Sequence, residues 1–97
     1  MQLDEAINET IKNNFEIGDY FDSHAVINGL LVNKKYHQLY MDFYPKNCTV
    51  AQYHGQIAQK IASSGIALKV KIDEKDILIK TYTIYGELSE NHLWKRI

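Results

Sequence analysis

The sequence predicts an α+β fold: a small cluster of about four helices followed by a C-terminal antiparallel β-hairpin. Two patterns predict it. Apolar residues recur at helical spacing in four segments before residue 64. After Gly65, Leu68, Val70 and Ile72 alternate with Lys69 and Lys71, which is the period of a half-buried strand. The length, 97 residues, fits a single domain over 1–97.

The first helix spans about residues 3–13. Leu3, Ala6, Ile7, Thr10 and Ile11 form one stripe, with Asp4, Glu5, Glu9 and Lys12 on the other side. Asn13-Asn14 suits its end, because Asn tolerates the left-handed C-cap conformation. A turn at Gly18-Asp19 and a brief extended piece follow. Ser23 is the expected N-cap of a second helix, about 24–32, with Asp22 near its positive end. Val26, Ile27, Leu30 and Leu31 make its stripe, and Gly29 inside it costs about 1 kcal/mol relative to Ala. Tyr36, Leu39, Tyr40 and Phe43 make a third stripe, bounded by Tyr44 before Pro45.

Pro45 to Cys48 reads as a turn, and Thr49 as the cap of a helix over 50–63. Val50, Tyr53, Ile57 and Ile61 give that helix the clearest periodicity in the chain. Gly65 suits its C′ position. Asp73 to Asp76 reads as a polar turn between strand 68–72 and a returning strand over Ile77–Tyr85. Of Tyr82 and Tyr85, facing opposite ways on that strand, one is expected to be exposed. The tail, 87–97, fits either a last helical turn through Leu93, Trp94 and Ile97 or a short strand.

The composition, 45% hydrophobic and 24% charged, excludes a mainly disordered or collagen-like chain. Apolar runs reach three residues, as in Leu30-Leu31-Val32, so no membrane partner is expected. The first residues lack a basic and apolar leader pattern, and Cys48 is the single cysteine, so a cytoplasmic setting is expected. The formal net charge of −1 is unevenly spread. Residues 1–24 hold six acids against Lys12, a net of −5, while 25–97 hold ten cations and six acids, a net of +4.

The element order resembles the winged-helix architecture, a helix-turn-helix variant with a β-hairpin wing. The resemblance covers about residues 3–86 as an order of elements, and the additional helix at 36–43 departs from it. It implies a small non-enzymatic DNA-binding or regulatory protein. Helix 50–63 then reads double-stranded DNA and hairpin 67–85 serves as the wing. Gln52, Gln56, Gln59 and Lys60 lie opposite or beside the buried stripe, where Gln can pair with adenine and Lys60 can meet a phosphate. Lys69, Lys71, Lys75 and Lys80 supply further phosphate contacts. A homodimer doubles the basic surface.

The alternative is a protein-interaction module, such as a small inhibitor or immunity protein, that binds a basic partner through Asp4, Glu5 and Glu9. A third reading is a small metal-dependent nuclease using Asp19, Asp22 and His24, which turn and capping roles also explain. No spaced Cys/His metal motif, phosphate loop or nucleophile elbow occurs, so no cofactor is expected. His54 borders the buried stripe and is expected to be a core histidine bonded to backbone or a Tyr.

Overall fold

The computed structural model describes residues 2–44 and 48–97. The expected turn at Pro45 to Cys48 lies, Cys48 apart, outside them. Among the described residues the fold is α+β, with four helices and antiparallel strands. The helices are α1 (Leu3–Asn14), α2 (Ser23–Val32), α3 (Lys34–Asp42) and α4 (Val50–Ala62). The strands are β1 (Tyr20–Asp22), β2 (Ala67–Lys69), β3 (Lys71–Ile72), β4 (Lys75–Asp76), β5 (Leu78–Tyr82) and β6 (Leu88–Arg96).

The stripes read from the sequence are the faces the helices bury. α1 buries Leu3, Ala6, Ile7, Thr10 and Ile11, and α4 buries Tyr53, Ile57 and Ile61. Thr49 caps α4 as expected, in a reciprocal capping box with Gln52. At α2 the cap is Asp22, not Ser23: the Asp22 carboxylate accepts from the Ala25 N–H at 2.9 Å. Ser23 is thereby freed for another partner, the indole N–H of Trp94, which donates to its hydroxyl at 2.9 Å. In α3, Tyr36 and Tyr40 are buried, but Phe43 is the C-cap and is exposed.

The tail is where the outcome departs furthest from expectation. Of the two alternatives for the tail the strand is observed, but it is nine residues long rather than short: residues 88–96 form β6, and β1, β2 and β5 all pair with it, antiparallel. β1 lies along one edge, with Phe21 opposite Trp94. Along the other edge lie β2 and then β5, with Lys69 opposite Trp94 and Leu78 opposite His92. These two pieces make one interrupted edge strand. Leu93 is the junction: its carbonyl accepts from the Val70 N–H, and its own N–H donates to the Ile77 carbonyl.

Segments 68–72 and 77–85 therefore do not pair along their length. Only the tip does, Lys71 with Asp76 and Ile72 with Lys75, so the six residues 71–76 project as a small hairpin. Its turn residues, Asp73 and Glu74, both have positive φ, as a two-residue turn matching strand twist requires. The alternation in this region is also inverted. Ala67 is buried while Leu68 and Ile72 are exposed, because Ala67 and Lys69 share the face of Trp94. β5 ends at Tyr82, so Tyr85 sits in the following turn and both tyrosines are exposed.

Two helical glycines have opposite surroundings. A Cβ on Gly29 meets the Thr10 methyl at 2.5 Å, so Gly29 lets α2 approach α1 closely. A Cβ on Gly55 meets nothing within 4 Å. Ala restores about 1 kcal/mol of helix propensity at either site. At Gly29 overpacking, typically about 1–3 kcal/mol, opposes that gain. Urea unfolding is expected to show Gly55→Ala more stable than the parent by about 0.5–1 kcal/mol and Gly29→Ala less stable.

Candidate functional site

The predicted nucleic-acid residues are spread over α4, the sheet strands β2 (Lys69) and β5 (Lys80), and the projecting hairpin (Lys71 and Lys75). Gln52, Gln56 and Gln59 are exposed on α4, but the Gln52 side chain is engaged in the capping box at Thr49. Lys60 is held by Asp4 of α1 at 2.6 Å. Asp76 lies 3.5 Å from the Lys69 ammonium and 3.9 Å from that of Lys71. The Lys69 ammonium also lies over the Trp94 ring, 5.7 Å from its centroid. Lys75 and Lys80 are exposed and make no ion pair among the described residues; Lys80 stands opposite Glu90 in the β5–β6 ladder.

The acidic alternative is also engaged internally. Besides the Asp4–Lys60 pair, Glu5 accepts from the Gln2 N–H, and Glu9 accepts from the Tyr36 hydroxyl. That hydrogen bond to a carboxylate, with burial and the charge of Glu9, holds the Tyr36 pKa above its ordinary value. The structure thus joins the basic and acidic candidates: Lys60 belongs to one set and its partner Asp4 to the other.

Of the nuclease triplet, Asp22 and His24 converge while Asp19 serves a turn. The Asp19 carboxylate accepts from the Glu16 N–H at 2.9 Å. The Thr81 hydroxyl donates to Asp22 at 2.5 Å and lies 2.7 Å from the His24 Nδ1. A hydroxyl has one proton, and here Asp22 takes it. Toward His24 the oxygen therefore only accepts, so the proton of the imidazole sits on Nδ1. In the neutral ring the lone pair is then on Nε2. Asn91 completes the network, donating to Thr81 and to the Ile79 carbonyl and accepting from the His24 N–H at 3.0 Å. No group of three or more His, Cys, Asp or Glu among the described residues is arranged to hold a metal ion.

This network closes one end of a groove of about 370 Å³ between α2, α4 and β6. His24, His54 and His92 all line it, with Glu87 and Glu90. Its α4 wall is built from small residues, Ala51, Gly55 and Ala58. His54 has the tyrosine partner expected of it: the Tyr40 hydroxyl lies 2.7 Å from its Nε2. Burial and the nearby His24 hold the His54 pKa below the ordinary histidine value. The Tyr40 hydroxyl, its own pKa raised chiefly by burial, has no other acceptor among the described residues and so donates to Nε2. Tyr53 braces the pair by donating to the Tyr40 carbonyl at 2.7 Å, and burial pushes its pKa up to about 12.

No protein-family model, curated protein or solved structure matches the chain. Sequence reasoning found His54 on α4 but not the groove, which takes residues from α2, α4, the turn before β6 and β6 itself. The misread tail concealed it.

The depressed His54 pKa has a consequence for stability. Between the folded pKa and the unfolded value of about 6.5, the unfolded chain binds the extra proton, so stability falls as pH drops through that window. Gln keeps an acceptor for Tyr40 and removes the titration. Urea titrations at about pH 7.5 and about pH 5.5 are expected to show a larger loss of stability in the parent than in His54→Gln.

Proposed function

We propose that this chain is a non-enzymatic, winged-helix-type DNA-binding domain, with α4 as the reader and the projecting hairpin 71–76, the part of region 67–85 that stands clear of the β6 sheet, as the wing. One observation carries the reading. α4 buries Tyr53, Ile57 and Ile61 and leaves Gln56, Gln59 and Ser63 exposed, with Lys60 beside them, and β2 and the projecting hairpin follow it in the chain. Gln56 and Gln59 are suited to adenine edges in a major groove. Lys75 and Lys80 are exposed for phosphate contacts.

The acids beside the other lysines set the affinity. Asp4 competes with phosphate for Lys60, and Asp76 competes for Lys69 and Lys71. Exposed ion pairs of this kind are worth about 0–1 kcal/mol, so a phosphate displaces the carboxylate at small cost. Removing a competing acid should therefore strengthen binding.

Anisotropy with a labelled random-sequence duplex at low salt tests the proposal. Asp4→Asn is expected to bind several-fold more tightly than the parent. Lys60→Ala is expected to bind more weakly and to reduce the dependence of log affinity on log salt by about one. Absence of binding at about 100 µM protein, or equal affinity in all three proteins, overturns the proposal.

A further inference from the structure

The groove beside β6 is bounded by the edge of the strand rather than its face. Ser89, Glu90, Asn91 and His92 are consecutive, and all four line it. Successive side chains of a strand point to opposite faces, so four residues in a row meeting one cavity is what a cavity along the strand edge gives; Thr83 and Tyr85 line its end at the turn before β6.

The hydrogen-bond pattern agrees. The Thr83 N–H donates to the Glu87 carbonyl, and the Leu93 N–H donates to the Ile77 carbonyl. Between these, bonded and non-bonded pairs alternate along the β5–β6 register. Ser89 and Asn91 therefore direct their N–H and C=O groups to β5. Leu88 and Glu90 direct theirs to the other edge. On that edge β1 reaches only Leu93 to Lys95. Among the described residues, the backbone groups of Leu88 and Glu90 have no backbone partner there.

We propose that this edge is a strand-addition site, at which β6 binds an extended basic peptide segment of another protein in the groove against α4. A peptide chain laid beside β6 supplies the missing N–H and C=O partners of Glu90, which lines the groove, and, continued past the groove, those of Leu88. Space for it exists because Ala51, Gly55 and Ala58 keep the α4 wall low. The charge defines the occupant. Glu87 and Glu90 line the groove without an ion-pair partner among the described residues, and no Lys or Arg is among the described lining residues. Val50 and Ala58, both half-buried, supply apolar contact. Since side chains of an extended ligand alternate, the fitting pattern is a cationic residue alternating with an apolar one.

The probe is a fluorescein-labelled peptide, Lys-Val-Lys-Val-Lys-Val, titrated by anisotropy and by amide shifts of the ¹⁵N-labelled protein. The proposal expects saturable binding, with shifts centred on Leu88, Glu90 and Gly55. Two variants separate blocking from unfolding. Gly55→Leu fills the groove from a helical position where a Cβ meets nothing within 4 Å. Glu90→Gln removes one charge and leaves the backbone. Each is expected to weaken binding, Gly55→Leu by about tenfold or more, with an unchanged or higher melting temperature for Gly55→Leu. Methylating the peptide amides along one of its two edges is expected to abolish binding for one edge only.

Four results overturn the proposal. One is no saturable shift at millimolar peptide. A second is equal affinity for Glu-Val-Glu-Val-Glu-Val. A third is equal affinity in folded Gly55→Leu. The fourth is a concentration-dependent shift of Leu88 and Glu90 without peptide, which makes a second copy of this chain the occupant.

Discussion

The structure depends on how Trp94 is held. Its indole is 1% exposed, and it sits in the C-terminal half of the strand that the rest of the sheet needs, where both edges are paired. Phe21 is its register partner on one side and Lys69 on the other. Its N–H donates to Ser23, the first residue of α2. One side chain thus fixes β1 and the start of α2 against β6 and sets the register of the strand that follows α4. Truncating a buried aromatic of this size costs about 3–5 kcal/mol, a large part of the about 5–15 kcal/mol that stabilises a typical domain. Asp22 caps α2, which leaves the Ser23 hydroxyl to accept from Trp94.

That choice leads to the buried polar network. Asp22 at the cap draws the Thr81 proton, Thr81 orients His24, and Asn91 ties both to β6. Buried polar groups of this kind are tolerable because they satisfy one another. The network stands where β1 leaves the edge of β6, and beyond it the edge is open. Polar groups that suggest chemistry in the sequence therefore have a structural task here: they end the ladder and brace the groove. Lys60 and Asp4 make a similar point on the surface. They belong to two different functional expectations, and in the fold they meet.

The helices were legible because each has one buried stripe, and α4 also has a local signal at its start. Val50, Tyr53, Ile57 and Ile61 with the Thr49 cap identify α4 to within one residue. The sheet was not legible to the same degree, because its pairings are non-local. Leu68, Val70 and Ile72 alternate as a core-facing set should, yet the small Ala67 is the residue buried there. Strand register was decided by Trp94, about 27 residues further along, and not by the local pattern. β6 itself shows no clean alternation. Its Leu93–Lys95 stretch has neighbours on both edges, while its Leu88–Glu90 stretch has one. Two different environments along one strand erase a single period. The groove was hidden for the same reason, since it exists only where the second neighbour stops.

The most direct test of this arrangement is amide hydrogen exchange along β6. From Leu93 to Arg96 both edges are paired, so four consecutive amides should be protected. From Leu88 to Asn91 only one edge is paired, so Ser89 and Asn91 should exchange slowly and Leu88 and Glu90 quickly. Uniform protection from Leu88 to Arg96, or fast exchange throughout Leu93 to Arg96, contradicts a β6 that is central at one end and open at the other.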